Sequence, residues 1–316
     1  MRILAKYGRE DIATVYVGET SKGSIVEFVQ SVQPAIPREE KWVLIISTLK
    51  GCPVGCVMCD AAGYYKGKLT SDEMLEQIDF LIESYFPDRI VKVKKFKIQF
   101  ARVGEPAFNK DVLVVLERIS HYRNLIPSIS TVAPCGCDEF FEQLLKIKQK
   151  YFEGRFQLQF SIHSTDEDKR NEIIPIKKWS LEQISTYGEK FVARLDRKIT
   201  LNFALSSKSK VSAKKVAGIF SPSKFLIKIT PVNPTYSALI NNFESDVDLS
   251  SGYPVTHRAF VDELRKLGFE VILSVGELEE NKIGSNCGQY IMKHIYNSAK
   301  MSEAYTYVSK IYESYL

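Results

Sequence analysis

No stretch of this 316-residue chain approaches the roughly twenty consecutive apolar residues needed to cross a bilayer, so no membrane span is expected. Met1 to Thr20 shows no basic-then-apolar leader, which argues against secretion and points to the cytoplasm. A strong excess of one charge is missing as well. Lys and Arg number 43 against 38 Asp and Glu, a net charge of +5 with a pI near 8.7. That lean lies below the signature of a dedicated nucleic-acid module and permits RNA without requiring it. Cysteine is scarce, with six in the chain, three of them clustered; Cys135 and Cys137 are too close for an ordinary mutual disulfide. An oxidised extracellular framework is therefore excluded and a reducing compartment expected. No repeat or low-complexity segment stands out. What the chain does have, 45% hydrophobic residues, suffices to bury one large core without staples. Lysines gather at Lys92, Lys94, Lys95 and Lys97, at Lys146, Lys148 and Lys150, and at Lys208, Lys210, Lys214 and Lys215. For each group a solvated face is favoured over a phosphate track.

From about residue 41 onward, β-branched and aromatic runs alternate with amphipathic stretches, the rhythm of strand-helix units on a parallel sheet. Strands are expected at Trp42 to Ser47, Phe96 to Val103, Ser128 to Ala133, Phe156 to His163, Ile199 to Leu205, Phe225 to Val232 and Glu270 to Val275. The first helix carries Met74, Leu75, Ile78, Leu81, Ile82 and Tyr85 on one stripe, and Thr70 with Glu73 forms a capping box at its start. Further helices are expected near Lys110 to Arg123, Asp138 to Phe152, Leu181 to Leu195, Ala213 to Phe220 and His257 to Leu267. The fold class is α/β: a partial (β/α)6 barrel over 41–275, with chemistry on loops after the strand C-termini. Thr14 to Val17 and Ser24 to Val29 read as a short β extension within 1–40, and 290–316, in the segment 276–316, reads as a helical tail.

The most informative feature is Gly51-Cys52-Pro53-Val54-Gly55-Cys56-Val57-Met58-Cys59, three cysteines inside eight residues. A structural zinc site wants four ligands, usually in two pairs, so the triplet fits zinc poorly. Closely spaced thiolates suit an iron-sulfur cluster better. Three thiolates can hold three irons of a [4Fe-4S] cluster and leave the fourth open to a ligand.

This pattern resembles the radical S-adenosylmethionine (SAM) superfamily. The resemblance implies that the amino acid end of SAM chelates the open iron and that an electron from the cluster splits SAM into a 5′-deoxyadenosyl radical. Within the superfamily the chain resembles the methyl synthases that modify adenine in RNA, over roughly 41–295. The match is carried in order by Gly51 to Cys59; Leu69-Thr70-Ser71-Asp72-Glu73; Arg102-Val103-Gly104-Glu105-Pro106 with Asn109; Ser161-Ile162-His163 with Arg170 and Pro175-Ile176; and Ser285-Asn286-Cys287-Gly288-Gln289. It implies that Cys52, Cys56 and Cys59 bind the cluster, and that Glu105 accepts a hydrogen bond from the SAM ammonium beside Gly104. Ser130, Ser161, His163 and Asn233 would line the ribose and carboxylate side of SAM. Cys287 would be methylated by a first SAM, and the radical from a second would move that carbon to an electron-poor aromatic carbon, a form of covalent catalysis.

The chain departs from that family in places. Ile45 stands where the family has a second cysteine that resolves the adduct, and Cys135 or Cys137 is the candidate to replace it. Met58 replaces an aromatic residue, the helical domain that precedes the barrel in the RNA methylases is not seen, and the segment after Cys287 is tyrosine-rich rather than basic. Tyr64 and Tyr65 could stack on a base or pack as core or lid. The leading expectation is a methyl synthase acting on adenine in RNA, with SAM, RNA and an electron donor such as flavodoxin or ferredoxin as partners. The rivals are the same chemistry on a small heteroaromatic or peptide substrate, a different radical SAM reaction in which Cys287 is structural, and a non-catalytic iron-sulfur sensor.

Overall fold

The structure, a computed structural model, describes residues 1–32, 36–276, 278–285, 290–291 and 309–311. The chain divides into two compact units, Met1–Pro53 with Asp60–Ser128 and Glu277–Leu316, and Val54–Cys59 with Ile129–Gly276.

The first unit is built on strands β1 (Arg2–Arg9), β2 (Ala13–Glu19), β3 (Ile25–Ser31) and β4 (Lys41–Ile46), the hairpin β5 (Leu49–Gly51) and β6 (Tyr65–Lys68), helix α1 (Ser71–Tyr85), β7 (Lys95–Phe100) and α2 (Asp111–Arg118). Neighbours β1, β2, β3 and β4 pair antiparallel, with Val15 opposite Val29 and Val29 opposite Ile45. β4 then pairs parallel with β7, Leu44 opposite Ile98. The small β extension read from the sequence is thus larger than expected: β1 joins it, and β3 hydrogen-bonds directly to β4. A bulge between Ile3 and Ala5 turns Leu4 and Ala5 both inward, which erases the alternation by which β1 would have been read. The expected capping box is present on α1, where Thr70 N–H donates to Glu73 Oε2 at 2.9 Å and Glu73 N–H to Thr70 Oγ1 at 3.4 Å.

The sheet of this unit is covered on both faces. On one, Phe28 and Tyr16 meet Phe80 of α1, and Trp42 packs against Tyr85, Phe86 and Phe96. On the other lies a buried apolar cluster that includes Tyr7, Val15, Val17, Val29, Ile283, Tyr290 and Ile291.

The boundary between the units falls inside β8 (Leu125–Thr131). The second unit continues with α3 (Asp138–Tyr151), β9 (Gln157–Ser161), α4 (Glu167–Ile173), α5 (Leu181–Phe191), β10 (Ile199–Leu205), α6 (Ala213–Ile219), β11 (Phe225–Pro231), α7 (Tyr236–Ile240), α8 (Arg258–Lys266) and β12 (Val271–Leu273). β9, β10, β11 and β12 pair parallel in sequence order, with Thr200 opposite Gln159, Leu201 opposite Ile227 and Ile229 opposite Leu273. Each expected strand is found within a few residues of its place. The sequence did not show α4 and α7, which are too short to carry a stripe. An aromatic layer of Phe141, Phe160, Trp179 and Tyr187 fills the space under α3 and α5.

Lys148 corrects the expectation of a solvated lysine face at 146–150. Its side chain is 2% exposed, and its ammonium pairs with Asp196 and donates to Phe191 C=O at 2.9 Å.

Two elements complete the first unit, α9 (Leu278–Ile283) and β13 (Ser309–Ile311). Tyr290 and Ile291 are helical as expected, but Ser309–Ile311 pairs antiparallel with β1, Lys6 opposite Lys310, in place of the helix expected there. Tyr305, Tyr307, Ser309 and Ile311 also recur at period two, and the edge of β1 offers unpaired N–H and C=O groups to such a segment. No helix among the described residues is long and apolar enough to cross a membrane.

Candidate functional site

The cysteine loop leaves the first unit at Gly51 and Cys52. Gly51 has φ +80°, and a Cβ there would lie 1.9 Å from the Tyr64 carbonyl oxygen, so only glycine fits. The Cys52 N–H reaches the carbonyls of Ala61 at 2.9 Å and Tyr64 at 3.0 Å, which fixes where its side chain begins.

In the second unit, the segment Val54–Cys59 is held by its main chain. The Cys59 N–H donates to Cys56 C=O at 3.0 Å in a tight turn, and the Val57 N–H donates to Ile173 C=O at 3.1 Å. Three successive carbonyls then accept from one short stretch at α7. Asn241 Nδ2 donates to Val57 C=O at 2.9 Å, Thr235 Oγ1 to Met58 C=O at 2.7 Å, and Ser237 Oγ to Cys59 C=O at 3.2 Å. Thr235 also caps α7, accepting from the Ala238 N–H at 3.0 Å. This clamp was missed from the sequence. Thr235 after Pro234 is readable as a helix start, but what the helix grips is not.

Cys52, Cys56 and Cys59 are all partly exposed and in no disulfide. Among the described residues, no three His, Cys, Asp or Glu side chains converge on one ion. A cluster asks for something different, because each of its irons takes a separate thiolate. The donor set suits a cluster and not a single zinc.

Still in the first unit, Gly104 follows β7 with φ +104°, and a Cβ there would come within 2.5 Å of the Leu49 side chain. The N–H groups of Thr48 and Leu49 both donate to Val103 C=O, at 2.8 and 3.2 Å. Glu105 is buried, and its Oε1 accepts from the Ala107 N–H at 3.0 Å, capping the single turn at Pro106–Phe108. The cap gives the carboxylate one orientation. Asn109, named in the sequence only as part of a motif, is buried and donates to the carbonyls of Thr48 at 2.8 Å and Leu69 at 2.7 Å.

In the second unit, Ser130 lies in β8 and accepts from Gln159 Nε2 at 3.3 Å, while Ser161 ends β9. Asn233 lies between β11 and α7, and its carbonyl accepts from the Thr235 N–H at 2.8 Å. Cys135 is exposed and Cys137 partly buried, on either side of Gly136 at the start of α3. Arg170 is fully buried and donates to Trp179 C=O at 2.7 Å. Lys178 donates to Asn171 Oδ1 and Ile174 C=O at 2.6 and 2.9 Å. Burial, then the Arg170 charge, pushes the Lys178 ammonium down to about 8, against the pull of Glu167, Cys56 and Cys135. A cation at this place favours thiolate over thiol.

His163 occupies the left-handed region at φ +61°, and its Nδ1 accepts from the Ala204 N–H at 3.0 Å. Nε2 therefore carries the proton of the neutral ring. Burial, then Arg170, lowers the imidazole from 6.5 to about 4. The depressed value contributes stability that is whole above pH 6.5 and is lost as pH falls toward 4. The expected loss is about 3 kcal/mol across that window. His163→Asn tolerates the same backbone and should flatten the acid limb in urea-unfolding midpoints measured from pH 7 to 4; an unchanged limb would assign it to other groups.

The remaining sequence candidates sit as follows. Ile45 packs against the apolar cluster of the first unit, and so does Tyr64, which is thereby core. Tyr65 is 45% exposed. Cys287 lies outside the described residues.

Comparisons with known proteins add to this geometry. No family model matches the chain. It is 27% identical over 243 residues to a probable dual-specificity RNA methyltransferase RlmN of Thermotoga sp. (strain RQ2), an alignment covering 73% of this chain and 65% of that protein. The chain thus spans just under two thirds of that relative. A dual-specificity RNA methyltransferase RlmN of Helicobacter hepaticus is 26% identical over 277 residues, 85% of this chain and 67% of that protein. Among solved structures, a radical SAM methyltransferase from Sphaerobacter thermophilus matches with a TM-score of 0.68 and 20% identity, covering 92% of this chain and 81% of that one. Streptococcus suis SuiB bound to S-adenosylmethionine matches with a TM-score of 0.51 and 13% identity, over 83% of this chain and 53% of that one. These likenesses show the fold: the mixed α/β, mostly parallel architecture is that of a radical SAM methyltransferase.

Proposed function

We propose that this chain, which resembles radical SAM RNA methyltransferases in sequence and in fold, is itself a radical SAM methyl synthase acting on adenine in RNA. One observation carries the reading: a three-cysteine loop whose carbonyls at Val57, Met58 and Cys59 are gripped in a row from α7. Such a grip fixes the main chain of a ligating loop before any ligand arrives, which is the service a protein owes a cluster.

Cys52, Cys56 and Cys59 would each hold one iron of a [4Fe-4S] cluster. Once bound and reduced through a donor such as flavodoxin or ferredoxin, the cluster with SAM supplies the 5′-deoxyadenosyl radical. The residues of the chain do the rest. Glu105, oriented by its turn cap, would accept from the SAM ammonium, and Gly104 leaves room for close approach. Ser130, Ser161 and Asn233 would offer polar contacts to the ribose and carboxylate, and His163, neutral with its proton on Nε2, would donate without adding charge. Cys287 would carry the carbon. Ile45 can neither move a proton nor attack as a thiolate, so the second thiol of the reaction would come from Cys135 or Cys137. A reducing cytoplasm suits this chemistry.

The test is the state of Cys287. Anaerobically reconstituted protein exposed to SAM and reductant should yield 5′-deoxyadenosine and gain one methylene mass on the peptide that contains Cys287. RNA oligonucleotides should bind with an affinity that falls steeply with salt. Cleavage of SAM with an unmodified Cys287 would end the methyl-carrier reading, and RNA binding that ignores salt would end the RNA reading.

A further inference from the structure

Two buried charges in the first unit sit on either flank of the loop that carries Cys287. Glu27 lies on β3 between Ile25 and Val29, on the face that carries the apolar cluster, and its side chain is 0% exposed. Arg102 follows β7, two residues before Gly104, and its side chain is 1% exposed. The two pair directly, Arg102 Nη2 donating to Glu27 Oε1. Each also holds the main chain of the later segment. Arg102 Nη1 donates to Ser285 C=O at 2.7 Å, and Glu27 Oε2 accepts from the Ile291 N–H at 3.0 Å.

Ser285 and Ile291 are the described residues that bracket 286–289. A single ion pair therefore closes a loop of six residues, the cation on the carbonyl that enters it and the anion on an N–H that leaves it. Neighbouring contacts hold the same ends. The Tyr290 ring stacks on Tyr7 at 3.8 Å, its hydroxyl donates to Ile283 C=O, and the Ser285 N–H donates to Glu280 C=O at 3.2 Å.

A buried ion pair is weak evidence for stability, because desolvation offsets most of the attraction and apolar residues of similar volume do as well. What apolar residues cannot do is bind a carbonyl on one strand end and an N–H on the other. Arg102 Nε is buried as well and has no acceptor among the described residues, which leaves a further donor on the same guanidinium.

We propose that the Glu27–Arg102 pair is a positioning device for Cys287, fixing both ends of its loop beside the Gly104-Glu105 turn. The inference rests on the reading of Cys287 as methyl carrier for its consequence, and on geometry alone for the anchoring. It assigns a role to Glu27, in a β extension that the sequence motifs leave without function.

The test uses the full chain with both charges replaced, Glu27→Met with Arg102→Met, and the isosteric Glu27→Gln as a second variant in case the first does not fold. Amide hydrogen exchange across 285–291, iodoacetamide alkylation of Cys287 and methylation of Cys287 are read beside the unfolding midpoint. The double variant should unfold near the wild-type midpoint, while exchange at 285–291 rises at least tenfold and the Cys287 alkylation rate changes. Methylation of Cys287 should fall at least tenfold, with 5′-deoxyadenosine formation largely kept. Glu27→Gln should give a smaller shift in the same direction. Wild-type exchange and alkylation in either folded variant would overturn the anchoring. If the wild-type protein itself never methylates Cys287, the carrier reading fails, and exchange with alkylation still decides whether the pair holds the loop.

Discussion

Cys56→Ala abolishes 5′-deoxyadenosine formation and leaves the protein folded, whereas Ser237→Ala with Asn241→Ala keeps all three thiols and still loses about 10–100-fold in cluster retention. The two outcomes separate ligation from support. The cysteine variant removes a thiolate for which no neighbour can substitute. The α7 variant removes two of the three donors that hold the carbonyls of Val57 and Cys59, at 2.9 and 3.2 Å, so the loop starts from a broader set of conformations. Thr235 is left in place because it also caps α7, and its loss would confuse the readout. Iron and sulfide content after anaerobic reconstitution, followed through a chelator challenge, measures the difference. Equal retention in the α7 variant and the wild type would reduce α7 to a cover over the loop.

The largest loss of stability is expected at Lys148. Lys148→Ala should cost about 3–5 kcal/mol, because it leaves the Asp196 carboxylate buried without its cation. The unfolding midpoint should drop on the order of 10 °C. Asp196 accepts from the N–H groups of Gly154 and Ala193 at 2.9 and 2.8 Å, so it fixes the turn after α3 to the turn after α5. Lys148→Met with Asp196→Asn should recover more than half of the loss, since no charge is then stranded and an acceptor for the backbone remains. Thermal melts of the two variants decide the matter. If the double variant is no more stable than Lys148→Ala, the damage lies in lost packing around the lysine stem and not in a stranded charge.

Lys148 also shows the limit of reading charge from sequence. It stands between Lys146 and Lys150 in a run that looks like a solvated face, and nothing local distinguishes it. Its position on α3 puts it on the buried side with Phe141, Leu144 and Ile147. Residue Ile45 is the opposite case. Its apolar character was plain, and so was its inability to act as a thiol, but only the packing showed it joined to the cluster that covers β1 and β2.

Glu105 and His163 were legible as candidates because each follows a recognisable strand, while their present bonds were not. One carboxylate oxygen of Glu105 caps a turn, and Nδ1 of His163 holds the Ala204 N–H. Both bonds depend on where a second segment passes. The short elements β1, α4 and α7 escaped for a related reason: a bulge or a length of five to seven residues leaves too little periodicity to read.

The amino-acid order alone determined the strand-helix rhythm, the capped first helix and the cysteine triplet, because each is written in spacings of a few residues and is enforced by backbone geometry and ligand chemistry. Tertiary structure alone decided that Glu27 meets Arg102 over 75 residues of chain and that Thr235 reaches Met58 over 177. Such contacts are set by which surfaces pack together and by how completely water is excluded between them, and no local period carries that information.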